Sequence, residues 1–139
     1  MTLNPDIRWK QRFQNFDRAV HLLSEALAQG PSALSQLEKE GTIQRFEVCL
    51  ELAWKTIKDY LEHSGVVVQP VTPRQVIKDA FAAKILPDGQ VWIDMLDHRN
   101  LLSHTYDGSE LERAIIALTS RYRPAFEALH TFLSNKLDQ

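Results

Sequence analysis

Cysteine is almost missing from this chain. Cys49 stands alone among 139 residues, which excludes an internal disulfide and fits a reducing compartment such as the cytoplasm. Glycine and proline are scarce as well, five and six, too few for a turn-rich sheet protein and easily accommodated between helices. No apolar run approaches the roughly 18–20 residues that would span a bilayer. The opening M-T-L-N-P-D-I-R-W-K has no apolar core of a signal peptide. A cytoplasmic chain with no membrane partner is therefore expected. A glycine-rich phosphate loop is also lacking, which excludes a self-contained nucleoside triphosphate site. The histidines show no ligand spacing with Cys49 or with carboxylates, so neither a metal nor a cofactor is expected. An excess of basic residues is missing too. The net charge of −2 gives no global attraction to nucleic acid, and any RNA or nucleotide site must be local or shared with a second chain.

What the chain does have is helical periodicity. Asn4-Pro5 reads as a cap followed by a proline at the first helical position. From there Trp9, Phe13, Phe16, Val20, Leu23 and Leu27 step by four, three, four, three and four, one apolar stripe. Gly30-Pro31 ends this helix, and Ser32 to Glu40 reads as a short helix or helical turn. A second long helix is expected from Gly41-Thr42 to His63, closed at Gly65 in a left-handed conformation. Its face is Ile43, Phe46, Leu50, Ala53, Trp54, Ile57 and Leu61, with Glu51–Lys55 and Lys58–Glu62 as four-residue ion pairs on the wetter side. The segment V-V-V-Q-P-V (66–71) is β-prone, but its length and proline make it a connector. Thr72-Pro73 starts a third helix, Arg74 to Lys84, with Val76, Ile77, Ala80 and Phe81 inward. After the turn Leu86-Pro87-Asp88-Gly89, a fourth helix carries Val91, Trp92, Met95 and Leu96. Asp107-Gly108-Ser109 breaks the chain, and a last helix from Glu110 to about Lys136 presents Leu111, Ile115, Leu118, Tyr122, Phe126, Leu129 and Phe132 or Leu133. With 139 residues and no linker or repeat, the expected architecture is all-α. It is one domain over 1–139, an antiparallel up-and-down bundle of four to five helices.

The segment Asp97 to Tyr106, D-H-R-N-L-L-S-H-T-Y, interrupts this pattern. Only Leu101 and Leu102 are apolar enough for a core. The rest can move protons or hold anions. An imidazole at His104 titrates near neutral pH and can exchange a proton with a ribose hydroxyl or a leaving oxygen. A guanidinium at Arg99 stays charged and grips phosphate oxygens in a two-pronged contact. Asn100 can orient the histidine or bind a sugar hydroxyl. Tyr106 can donate to a phosphate, stack on a base, or be modified. Arg99 and His104 are five residues apart, about 500° of helical rotation, so on a continuous helix they stand roughly 140° apart. Either the helix loosens near Ser103, or a second copy of the chain supplies the missing half of the site across a two-fold axis. The plain alternative pairs Arg99 with Asp97 or Asp94 and leaves His104 as a helix end-cap. Glu47 lies in or beside an apolar stripe, which calls for a long-range partner such as Arg99 unless it is an ordinary half-exposed glutamate.

Three blocks, Q-R-F-E-V-C-L-E-L-A-W-K-T-I-K-D-Y-L (44–61), T-P-R-Q-V-I-K-D-A-F (72–81) and D-H-R-N-L-L-S-H-T-Y (97–106), occur in an order that resembles the nucleotidyltransferase substrate-binding protein family. That family belongs to the HEPN superfamily, close to the HepT-type toxins, and the resemblance runs over nearly the whole chain. It implies a HEPN bundle, a homodimer, and a partner nucleotidyltransferase of the minimal (MNT) type. In the toxin branch the motif arginine and histidine form a metal-independent ribonuclease site at the dimer interface. They fall on Arg99 and His104, with the following polar residue on Asn100. The tyrosine that the partner adenylylates in some members falls on Tyr106. The resemblance thus implies a HepT-like ribonuclease of a toxin–antitoxin pair. The alternative it carries is a non-catalytic subunit that holds a nucleotide or acceptor for the transferase.

Overall fold

The computed structural model describes residues 4–104 and 108–138, with the side chains of Ser103 and His104 excepted. Helix α1 spans Pro5–Leu27, capped by the Asn4 side chain, which accepts from the Asp6 N–H at 2.9 Å. Its predicted stripe is buried at every position. Gly30, at φ 87°, turns the chain into a single 3₁₀ turn, Pro31–Ala33.

Helix α2, Gln36–His63, begins well before the predicted Gly41 start. Ser35 and Glu38 form a reciprocal capping box: the Ser35 hydroxyl accepts from the Glu38 N–H at 3.1 Å, and the Glu38 carboxylate accepts from the Ser35 N–H at 2.9 Å. Two otherwise orphaned N–H groups are thereby satisfied, which outweighs the small propensity cost of Gly41 inside the helix. Gly65, at φ 87°, closes α2, and the Val66 N–H bonds back to the Leu61 carbonyl at 2.9 Å. Residues 66–72 form the expected connector.

Helix α3, Pro73–Ala82, starts at a Thr72 cap. Val76, Ile77 and Ala80 point inward, but Phe81 is 54 % exposed. Its ring lies against Gly89, where an added Cβ would meet it at 3.3 Å. Phe81 therefore covers a turn and does not enter the core as predicted. Helix α4, Gly89–His104, buries Val91, Trp92, Met95 and Leu96 as expected.

The last predicted helix divides into α5 (Gly108–Ala117), a π turn (Leu118–Tyr122) and α6 (Arg123–Leu137). Helix α5 starts at Gly108, two residues before the predicted Glu110, and Asp107 of the predicted break lies outside the described residues. Pro124 explains the π turn. It has no N–H to give, and its ring would crowd the preceding turn of a regular helix. The Arg123 N–H instead reaches the Leu118 carbonyl, and the helix widens locally.

Trp9 meets Tyr60, and Arg12 meets Asp59 at 3.0 Å, so α1 and α2 run antiparallel. Trp92 meets Phe126 and His98 meets Tyr122, which sets α4 antiparallel to α5–α6. One apolar cluster draws on every helix. The observed architecture is an all-α bundle with α5, the π turn and α6 acting as one bent element, five helical elements among the described residues.

Candidate functional site

The polar stretch lies on the last two turns of α4, and each of its residues faces a different neighbour. Successive helical positions rotate by about 100°, so 97, 98, 99 and 100 sweep once around the helix. Asp97 is exposed and pairs with Arg74 of α3. His98 Nδ1 lies 3.1 Å from the hydroxyl of Tyr122 in the π turn. Arg99 turns toward α2, its Nη1 3.5 Å from Glu51 Oε2. Asn100 is exposed. Leu102 is buried beneath them while Leu101 is 43 % exposed, so only one of the two leucines serves the core.

Arg99 thus pairs with neither Asp97 nor Asp94. Arg121 has claimed Asp94 at 2.7 Å, and Arg74 holds Asp97. The long-range carboxylate that Arg99 finds is Glu51, one helical turn after Glu47. Glu47 itself is half-buried and meets no hydrogen-bond or ion-pair partner among the described residues. Glu51 is fixed on both oxygens: Lys55 Nζ reaches Oε1 at 2.9 Å and Trp54 Nε1 donates to Oε2 at 3.0 Å. Partial burial raises the Glu51 carboxyl, but the hydrogen bonds from Lys55 and Trp54, with the charges of Lys55 and Arg99, more than offset it. Its pKa falls below the usual carboxylate value. Periodicity alone placed Glu51 with Lys55 on the wet side of α2, and that pairing is present. The Arg99 contact was hidden from sequence because it joins residues 48 apart. Tyr106 lies outside the described residues, as does the side chain of His104. The backbone of α4 remains helical through His104.

Burial drives the His98 pKa down, opposed by Glu110 and assisted by Arg113. Protonation of His98 therefore disfavours the folded chain. Its contribution to stability is full above the unfolded histidine value, about 6.5, and is lost as pH falls through that value toward the lowered folded one. His98→Gln is expected to flatten the decline in stability between about pH 7 and 5 relative to the parent, read from urea midpoints. An unchanged slope would show that His98 titrates alike in folded and unfolded chains.

Cys49 is fully buried in α2, where desolvation raises its thiol and makes it inert. Among the described residues no cluster of three or more histidine, cysteine or acidic side chains is arranged to hold a metal ion. No helix among them is long and apolar enough to cross a membrane. Two clefts lie away from the polar stretch. One of about 310 Å³ is lined by Trp92, Arg121 and Pro124, and one of about 700 Å³ by Phe13, Arg18 and His21.

An all-helical bundle that carries an arginine, an amide and a histidine within six residues of one helix defines the class. The chain belongs to the family described as nucleotidyltransferase substrate binding protein like, whose model matches residues 11–135. Over 80 residues it is 29 % identical to the probable ribonuclease HepT of Haemophilus influenzae, an alignment that takes in 55 % of this chain and 55 % of that protein. The chain thus spans about half the length of this curated relative.

Proposed function

We propose that this chain is the HepT-like member of a HEPN/MNT toxin–antitoxin pair. In this reading it forms one domain over residues 1–139, acts in the cytoplasm as a homodimer, and cleaves RNA without a metal at the interface between two copies. The observation that carries the reading is the unbroken course of α4 from Gly89 to His104. With no loosening near Ser103, positions 99 and 104 of one copy stand about 140° apart around the axis. A second copy is what brings a guanidinium and an imidazole to one phosphate.

In such a site Arg99 stabilises the charge that builds on the phosphate oxygens, Asn100 orients the ribose or the histidine, and His104 exchanges the proton with the attacking 2′ hydroxyl or the leaving 5′ oxygen. The partner nucleotidyltransferase silences the site by adenylylating Tyr106. Glu47, half-buried and without a partner among the described residues, lies one turn from Glu51 on α2 and serves as a contact for the RNA or the second copy.

Purified protein, treated with phosphodiesterase to strip any adenylyl group, is incubated with RNA in EDTA beside the Arg99→Ala, His104→Ala double variant. Cleavage by the parent and loss in the variant is expected. Equal cleavage by both, or none by either, removes the reading. Intact mass of protein co-expressed with the transferase reports on Tyr106: added AMP is expected, and is abolished by Tyr106→Phe.

The family's own description favours a second reading, a non-catalytic subunit that binds a nucleotide for the transferase. The net charge of −2 is also modest for a general RNA binder. Calorimetry separates the two, since micromolar nucleotide binding only in the presence of the transferase belongs to the second.

A further inference from the structure

We propose that Glu51 is the positioning residue for Arg99: from α2 it fixes the direction in which the guanidinium of α4 meets a phosphate. The consequence for cleavage rests on the ribonuclease reading above; the contact itself does not.

Spacing on α2 sets the geometry of Glu51. Trp54 and Lys55 lie three and four residues after Glu51, the two positions whose side chains can reach it on one helical face. Both do, at 3.0 and 2.9 Å, one on each carboxylate oxygen. Lys55 in turn sits 5.8 Å from the centre of the Trp54 ring, and that ring packs against the core. A glutamate on a helix surface ordinarily samples several rotamers; this one is tied at both oxygens to groups that are themselves anchored. Arg99, approaching from another helix, therefore meets a fixed carboxylate. Its side chain is 27 % exposed, less than Glu51 at 44 %.

The geometry also leaves Arg99 usable. Its contact to Glu51, at 3.5 Å, engages one terminal nitrogen. Among the described residues the other N–H groups meet no acceptor, and a guanidinium needs two of them for a paired phosphate contact. Charge permits it as well. Lys55 already offsets Glu51, so the three charged groups together remain positive by one, and an anion is not repelled. Arg99 without Glu51 would be a long side chain free to swing, and a site on a supporting shell loses rate when that shell is loosened.

The test reads the arginine directly and does not depend on nuclease activity. In isotope-labelled full-length protein, the Arg99 guanidinium is followed by NMR in the parent and in Glu51→Gln, which keeps the size and the acceptor for Trp54 but removes the charge. Resolved, slowly rotating Nη hydrogens are expected in the parent, and their collapse to an averaged signal is expected in the variant. RNA cleavage by the same samples is expected to fall about tenfold in kcat with KM little changed. In an Arg99→Lys background, Glu51→Gln is expected to add no further loss.

Averaged Arg99 signals in the parent, or identical signals in both proteins, overturn the proposal whatever the nuclease does. So does an unchanged kcat in a parent that cleaves, or a full additional loss in the Arg99→Lys background, which marks a merely structural role. If the parent cleaves nothing but its Arg99 signals collapse in the variant, the positioning contact stands and the ribonuclease reading falls.

Discussion

Replacing Phe126 by alanine is expected to destabilise the bundle by about 3–5 kcal/mol. Phe126 is fully buried and stands where α1, α2 and α4 converge on α6. Its ring meets Trp92 edge-on at 5.4 Å, Phe16 at 6.4 Å and Phe46 at 6.3 Å. Truncation removes the transfer free energy of the ring and leaves a cavity whose walls belong to four different helices. Those walls cannot collapse inward together, which places the cost toward the upper part of the range. The π turn ends four residues before Phe126, and the buried stripe 118, 122, 126 runs through it. In a domain of this size each kcal/mol corresponds to a few degrees in Tm, so a drop of about 10 °C or more is expected by circular dichroism. Ile116→Ala, at an exposed position, should cost less than about 0.5 kcal/mol. Equal effects of the two substitutions would show that the inferred packing is wrong.

The apolar stripes were legible in the sequence because helical packing repeats locally. Trp9 through Leu27 and Leu111 through Leu133 each repeat at three- and four-residue steps, and a buried stripe needs nothing further to be recognised. Caps were legible for the same reason where cap and proline adjoin, as at Asn4-Pro5 and Thr72-Pro73. What failed was competition between local signals. Gly41 looked like a helix start until the Ser35–Glu38 box is weighed against it, and the box satisfies two N–H groups where glycine only costs a little propensity. Phe81 looked inward because α3 is amphipathic; the Gly89 turn offered its ring a different surface. Pro124 was the visible sign of the π turn and went unused, since the stripe passes through it without losing phase. The candidate site was legible as residue types and not as partners. Nothing near Arg99 in sequence names Glu51, because the pairing is created when α4 docks across α2, and the nearer acids Asp94 and Asp97 were already held by Arg121 and Arg74.

On the proposed ribonuclease reading, Arg99→Ala is expected to lower kcat for RNA cleavage by about 10²–10³-fold, the usual consequence of removing a preorganised donor that faces charge built in the transition state. Arg99→Lys should recover only part of the loss. The ammonium keeps the charge but cannot make two parallel contacts to phosphate oxygens, and its flexible stem gives Glu51 less to hold. Stability should move little in either variant, within about 1 kcal/mol, because the Arg99–Glu51 pair is partly exposed and Glu51 keeps Trp54 and Lys55. A melting temperature close to the parent's therefore separates a catalytic loss from unfolding. The split between kcat and KM then separates the two functional readings. An arginine that acts in the transition state lowers kcat and kcat/KM together. An arginine that merely binds a nucleotide for a partner enzyme weakens affinity by about the same factor with or without a reaction, and calorimetry detects that loss where no cleavage is seen. A parent-like kcat in Arg99→Ala, in a protein that cleaves RNA, would remove Arg99 from the chemistry and direct attention to the other groups of the stretch.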